Sequence, residues 1–201
     1  MDNKEKKAIN LVPTDEEYKM LRTEILQYLQ DYQSVRNMMY VTSIAIFAFL
    51  FSQNITEPLI YLSPLVVILP SYICAFNFWR SVTQDSAYLI VFHEERGSSF
   101  RWENRHDVFS KKYGGESPFT MNVQSLPYIA MCAMCFVFCL INFYRIHDSF
   151  SAFKCNITGF VMIVCCLICI IVFVRYGKLD KEKILNEWRT IRDEEINIKQ
   201  K

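Results

Sequence analysis

The stretch ITGFVMIVCCLICIIVFV, residues Ile157–Val174, contains no charged side chain. Three other parts of the 201-residue chain are equally uncharged and apolar: Met38–Gln53, Leu59–Trp79 and Leu126–Tyr144. A helix of roughly 17–25 apolar residues crosses the hydrocarbon core of a bilayer. The sequence therefore predicts an all-α, polytopic membrane protein with four transmembrane helices, in which the short first run is the membrane end of a longer helix.

Lysine and arginine are unevenly distributed around these runs. Six precede the first run, six lie between the second and third, and eight follow the fourth, against none in 53–58 and two in 145–156. Because basic residues concentrate on the cytoplasmic side, both termini and the middle segment are expected to be cytoplasmic. The predicted segments are an N-terminal cytoplasmic helix (1–37), transmembrane helices 1 and 2 (38–79), a cytoplasmic basic segment (80–125), transmembrane helices 3 and 4 (126–174) and a C-terminal cytoplasmic helix (175–201).

The N-terminal helix is predicted to start near Asp15. Thr14 and Glu17 have the spacing of a capping box, and no proline or glycine follows before Pro58, so the helix should run unbroken into the membrane. Apolar and tyrosine side chains recur along it in alternating steps of three and four, which favours left-handed helix packing. This stripe either packs on the chain's own C-terminal tail or forms the seam of an oligomer. Its residues are Tyr18, Leu21, Ile25, Tyr28, Tyr32, Val35 and Met39.

Three other helices carry local signals. The second membrane helix is expected to contain both Pro64 and Pro70, and the third to begin near Pro127. The tail is predicted to be an amphipathic helix with one apolar face, made of Ile184, Trp188, Ile191 and Ile198.

The residues give no sign of catalysis. No recognised catalytic or phosphate-binding motif occurs, and the four apolar runs contain no ionisable carboxylate or base, which argues against an enzyme and against a proton-coupled transporter. The C-x-x-C pairs Cys132/Cys135 and Cys166/Cys169 lack histidine partners at matching depth and are interpreted as packing residues. No catalytic residue, metal site or cofactor is predicted.

A pore built from several copies is the passive role that remains. Continued into the membrane, the stripe of the first helix reaches Thr42, Ile46, Phe49 and Gln53, in which two polar residues enclose an apolar constriction that could gate by dewetting. The alternative is that Thr42 bonds to its own helix and Gln53 only ends it.

The segment between the second and third runs is both basic and aromatic. Basic groups pair with phosphates and aromatic rings stack on bases, so a nucleotide or single-stranded nucleic acid is one candidate ligand. Anionic lipid headgroups and simple positive-inside anchoring are the alternatives. The candidate ligand-binding residues are Arg96, Arg101, Trp102, Arg105, His106, Lys111, Lys112 and Tyr113.

Two short patterns resemble those of small bacterial membrane effectors of anti-phage defence. One is YL..F.E followed by WE.R, matched by Tyr88, Leu89, Phe92, Glu94 or Glu95, Trp102, Glu103 and Arg105. The other is E...LR.EI, matched within Glu17–Ile25. The architecture is similar to the channel effectors of the two-gene Hailong system. That resemblance implies a bacterial inner membrane location, a single-stranded DNA oligomer as the gating ligand and a nucleotidyltransferase, encoded nearby, that makes it.

The sequence thus favours a homo-oligomeric ion channel, with a tetramer as the expected assembly. A cytoplasmic nucleotide or DNA oligomer would set its state, and opening would depolarise the membrane and arrest infected cells. The alternative is a non-conducting membrane scaffold or sensor that recruits a cytoplasmic partner through its N- and C-terminal helices.

Overall fold

The computed structural model describes residues 15–95, 123–146, 152–177 and 179–200, and this part of the chain is helical without a strand. Its five main helices are α1 (Asp15–Ser52), α2 (Leu65–Tyr88), α3 (Leu126–Ile146), α4 (Ala152–Arg175) and α5 (Lys181–Gln200). Short 3₁₀ turns lie at Pro58–Leu62 and Val123–Ser125, and a π-helical segment, Leu89–Glu94, follows α2 directly. The predicted all-α class is confirmed.

Four helices of the described chain are long and apolar enough to cross a membrane. They are Asp15–Ser52, Pro58–Glu94, Leu126–Arg145 and Phe153–Arg175. The predicted number of membrane helices is confirmed, while the side of the membrane on which the termini lie stays a prediction. In the most apolar window of the fourth helix only 11% of the residues are buried within one copy, so most of its surface is open to lipid or to other protein.

The first helix has the predicted extent. It begins at Asp15 with three acidic residues in its first turn, where the helix dipole favours negative charge, and it continues without a break to Ser52. Thr14 of the expected capping box lies outside the described residues. The Ser52 hydroxyl donates to the Phe49 carbonyl at 2.8 Å, and Asn54 then adopts a left-handed conformation (φ 48°) that asparagine tolerates well.

Both predicted prolines lie within the second membrane span, Pro58–Glu94. Pro64 lies immediately before α2, and Pro70 is inside it. Proline restricts the residue before it and supplies no N–H, so it suits the position just before a helix better than its interior. The helix also continues past Trp79 to Tyr88, well beyond the uncharged run.

The chain divides into two compact units. Within the described residues, unit 1 contains 15–31, 78–95 and 179–200, and unit 2 contains 32–77, 123–146 and 152–177. The helices α1 and α2 therefore each contribute residues to both units.

Aromatic contacts organise the core of unit 2. The Phe138 ring of α3 lies 5.3 Å from the ring of Phe47 and 5.1 Å from that of Phe51, both edge-on. The Tyr72 ring of α2 lies 4.6 Å from the Phe173 ring of α4, and its hydroxyl donates to the Tyr176 carbonyl at 3.1 Å. Such ring pairs add to the stabilisation by apolar burial. They connect α1 to α3 and α2 to the end of α4.

The core of unit 1 forms where α5 and α1 meet the π-helical segment. Trp188 of α5 packs edge-on against Tyr88 and Phe92, at 5.3 and 6.1 Å between ring centroids. Leu185 is buried beside them, although the predicted apolar face of the tail did not include it. Ile184 and Trp188 of the predicted apolar face pack against this core, whereas Ile191 and Ile198 of the same face are 42% and 74% exposed. The partner of α5 is a short segment, so only the first half of the helix is covered.

Candidate functional site

The residues predicted to bind a cytoplasmic ligand lie outside the described part of the chain. They are Arg96, Arg101, Trp102, Arg105, His106, Lys111, Lys112 and Tyr113. Their role as a nucleotide, DNA or lipid site stays a prediction.

The stripe residues of α1 are packed within one copy of the chain. Tyr18, Ile25, Tyr32 and Met39 are buried, and the intervening Leu21, Tyr28 and Val35 are half-buried. In unit 1, Tyr18 and Ile25 pack against Leu89, which follows α2. Their role in an oligomer seam stays a prediction.

The proposed pore residues of α1 lie beside its buried face. Thr42 and Ile46 are half-buried, whereas Phe49 and Gln53 are exposed. Beyond Met39, the positions that α1 buries are Ser43, Phe47 and Leu50. Inside the apolar run, each buried residue of α1 thus lies one position after the one that the stripe predicts. Phe49 is 59% exposed, so lipid or another copy can contact it.

A stripe of exposed residues lies along α2 and the residues just before it, and we call this stripe the second-span face. It consists of Ser63, Val66, Pro70, Cys74 and Asn77. These residues follow one another in steps of three and four, so they occupy one side of the helix. All five are exposed in one copy, and Val66 is 76% exposed.

The chemistry of the second-span face is poorly suited to lipid. Ser63 and Asn77 carry polar side chains near its two ends, and Pro70 has no N–H to donate to the Val66 carbonyl. An unsatisfied backbone group in hydrocarbon costs several kcal/mol, so broken helices in membranes place such groups against protein or water. The arrangement can therefore support contact with another helix or with a water-filled path.

Unit 1 contains a compact polar and aromatic cluster around the π-helical segment. His93 is 3% exposed, and its Nε2 atom has no hydrogen-bond partner among the described residues. Glu17 Oε1 lies 4.0 Å from this atom and accepts a hydrogen bond from the Tyr88 hydroxyl at 2.9 Å. The rings of Tyr18 and Tyr88 meet the imidazole edge-on. Because π-helical turns are frequent at functional sites, this cluster is a candidate functional site of unit 1.

An ion-pair network attaches α5 to the end of the same segment. Glu95 Oε1 accepts from Arg189 Nη2 and Glu95 Oε2 accepts from Arg192 Nη1, both at 2.7 Å. Burial raises the pKa of the Glu95 carboxyl, but the hydrogen bonds and charges of the two arginines outweigh this and hold the pKa below its ordinary 4.5. One carboxylate thus holds two successive turns of the C-terminal helix.

This network makes the docking of α5 dependent on pH. The pKa of Glu95 is lower in the folded protein than its ordinary 4.5 in the unfolded chain. The ionised carboxylate therefore stabilises the folded state fully at pH values above 4.5. This stabilisation is lost as the pH falls through the pKa of the folded state. We expect Glu95→Gln to weaken the docking of α5 by about 1 kcal/mol at pH 7, because Arg189 is partly exposed and solvent screens the pair. Hydrogen exchange of the α5 amides measures the effect.

The matched control for this substitution is Glu187→Gln, which removes an exposed carboxylate from α5 itself. It should leave exchange in α5 unchanged at pH 7. Equal protection of α5 in the wild type and in Glu95→Gln would contradict the assigned role of Glu95.

Among the described residues, no group of three or more His, Cys, Asp and Glu side chains could hold a metal ion. Cys132, Cys135, Cys139 and Cys169 are buried free thiols of α3 and α4.

Comparison of the chain with protein-family models, with curated proteins and with solved structures found no match. The resemblance to anti-phage effectors therefore depends on the short sequence patterns alone.

Sequence reasoning did not identify the second-span face or the Glu95 network. The spacing of Ser63, Pro70 and Asn77 was a usable signal, since polar residues and a proline recur on one side of an apolar run. The Glu95 pairs join residues 94 and 97 positions apart, and no local pattern indicates them.

Proposed function

We propose that the chain is the subunit of a homo-oligomeric membrane channel and that the second-span face lines its conduction path. The single observation that carries the proposal is this continuous exposed stripe, in which polar side chains and a proline recur on one side of a membrane helix. Copies arranged around an axis would turn the stripe away from lipid and towards a shared water-filled centre.

The composition of the face fits a path that can close. Ser63 and Asn77 offer polar groups near its ends, and the Val66 carbonyl adds an acceptor next to Pro70. Val66 itself narrows the centre with an apolar side chain, and apolar constrictions in pores close by dewetting. The predicted α1 residues Phe49 and Gln53, also exposed, would lie at a neighbouring surface of the assembly.

Unit 1 is the proposed control element. The distribution of basic residues favours the cytoplasmic side for unit 1, and the resemblance implies the inner membrane of a bacterium. Its cluster of Glu17, Tyr88 and His93 joins the first turn of α1 to the segment that follows α2, so a ligand that moves one helix would move the other. A DNA oligomer as this ligand, its partner nucleotidyltransferase and a role in anti-phage defence remain predictions from the sequence patterns.

The test combines oligomeric mass with conduction. Purified full-length protein is measured by light scattering in detergent and then reconstituted in planar bilayers, with and without single-stranded DNA oligomers. We expect a defined oligomer, with four copies favoured, and a current that the oligonucleotide changes. A monomer that carries no current under any of these conditions would overturn the proposal.

A second candidate function is supported by the far half of α5. Ile191, Ile196 and Ile198 are exposed apolar side chains on an otherwise charged helix, and such residues can bind a partner protein. In this reading the chain is a non-conducting scaffold that recruits a soluble protein. Changing all three to serine would then abolish recruitment, whereas a channel would keep its current.

A further inference from the structure

The exposed side of α1 is free of charge over the part of the helix that precedes the apolar run. Every exposed residue from 20 to 37 is uncharged, whereas the four charged residues of this range are half-buried. Two of these four contact tyrosines of the same helix: Glu24 accepts a hydrogen bond from the Tyr28 hydroxyl at 2.9 Å, and the Arg36 guanidinium lies 5.6 Å from the Tyr32 ring centroid. A helix side that faces water normally carries the charges. An exposed side without charge is instead typical of a protein interface, whose core is depleted of charged residues.

Six exposed residues form a continuous face along this side of α1, and we call it the uncharged face. It consists of Gln27, Gln30, Ser34, Asn37, Val41 and Ile44. These residues recur in alternating steps of three and four, the spacing that favours left-handed packing of two helices. Each residue turns an α-helix by about 100°, so Gln27 and Ser34 lie about 200° from the buried Ile25 and Tyr32. The uncharged face is therefore opposite the side that α1 packs within its own copy.

The chemistry of the uncharged face changes where the apolar run begins. Its first four residues carry amide or hydroxyl groups, whereas Val41 and Ile44 are apolar and are 70% and 59% exposed. Lipid matches only the apolar end of this face, and a soluble protein reaches only the polar end. The α1 helix of a second copy has both ends at the same height, because all copies of a membrane protein insert with the same orientation.

The polar residues of the face also suit contact with their own counterparts. In a symmetric pair of parallel helices, each residue of the seam meets the same residue of the other copy. The side-chain amides of Gln30 and Asn37 have both donors and acceptors, so two identical amides can bond to each other. Two identical charges at these positions would repel each other, and the face has none.

We propose that two copies of the chain pair through the uncharged faces of their α1 helices, which run in parallel. The inference rests on the homo-oligomer of the proposed function and names the surface at which two of its copies meet. The four-copy assembly would then consist of two such pairs, which leaves the second-span face of α2 free to line the path.

The test is cross-linking between copies. Full-length Ser34→Cys protein is treated in its membranes with a short bismaleimide, and covalent dimer is measured on a denaturing gel against the wild type, which has the same native cysteines. We expect at least about fivefold more dimer than in the wild type, because facing residues of paired helices lie within reach of a short linker. The matched control is Gln33→Cys, which is also exposed but is turned by about 100° from Ser34, and it should give the wild-type amount of dimer.

The oligomeric mass in detergent separates the two ways in which this test can fail. Equal dimer yields from the two variants, or no dimer from either, in a protein with the mass of an oligomer would overturn the inference and leave the proposed homo-oligomer standing. A monomeric mass without dimer would overturn both.

A charge at Asn37 tests which residues face each other. Adding Asn37→Asp to Ser34→Cys places two carboxylates opposite each other and should reduce the dimer yield about fivefold at low salt, with recovery at high salt because salt screens the repulsion. Co-expression with Ser34→Cys protein that carries Asn37→Lys should restore the yield, and Gln33→Asp should not change it. Since Asn37 is exposed, the variants should fold. An unchanged yield with Asn37→Asp, or a mixture of Asp and Lys copies that does not cross-link, would overturn the inference.

Discussion

Replacing Leu89 by alanine is expected to destabilise unit 1 by about 2–5 kcal/mol, the usual range for truncating a buried leucine. Leu89 is fully buried, and it packs against Tyr18 and Ile25 of α1 with Val82 beside them. It is the apolar residue through which the π-helical segment holds α1. Hydrogen exchange of the α1 amides over residues 15–31 should accelerate strongly, and thermal unfolding should begin at a lower temperature.

The matched control is Leu26→Ala, which removes the same side chain from an exposed position of α1 (56% exposed). It should change the unfolding free energy by no more than about 0.5 kcal/mol. Equal losses in the two variants would contradict the packing assigned to Leu89.

Replacing Val66 by tryptophan is expected to reduce the conductance of reconstituted protein about tenfold or more, because a large ring on each copy would occupy the proposed path. Val66 is 76% exposed in one copy, so the substitution should not disturb the core of unit 2. Oligomeric mass should remain that of the wild type. Single-channel recording in planar bilayers measures the change.

Val137→Trp is the control for this substitution, since Val137 is also exposed (51%) and lies on α3, away from the second-span face. It should leave conductance unchanged. A Val66→Trp protein that conducts normally would remove the second-span face from the path.

Much of the fold was predictable because it depends on composition. Four uncharged runs predicted four membrane helices, and the capping-box spacing of Thr14 and Glu17 predicted the start of α1 near Asp15. The position of Pro64 was not predicted, because a proline in an apolar run is compatible with either the interior or the start of a helix. The structure places it before α2, where its missing N–H is harmless.

The candidate site was less predictable, because it depends on which face each helix buries. The periodicity of α1 identified Tyr18, Ile25, Tyr32 and Met39, and these residues are buried. Periodicity alone could not distinguish packing on the same chain from packing on another copy. Continuing the three-and-four spacing of the stripe into the membrane predicted Thr42 and Ile46 as its next positions. The residues buried there are instead Ser43 and Phe47, where α1 meets aromatic residues such as Phe138.

The polar cluster of unit 1 could not be predicted from the sequence, for a different reason. Glu17 and His93 come from two separate helical segments, and the π-helical turn that contains His93 has no sequence signature. Only the three-dimensional arrangement shows that Glu95 attaches α5 through two arginines.

The most direct measurement is the reaction of Cys74 with a membrane-impermeant, charged thiol reagent in membranes that contain the assembled protein. Cys74 lies on the second-span face, and Cys166 of α4 is also exposed in one copy, so it serves as the internal reference. Only the thiolate reacts, and it forms in water rather than in lipid. If the second-span face lines a water-filled path, peptide mass spectrometry will find Cys74 modified much faster than Cys166. If Cys74 stays unmodified until the membrane is dissolved, the face is covered by lipid or protein and the chain does not conduct along it.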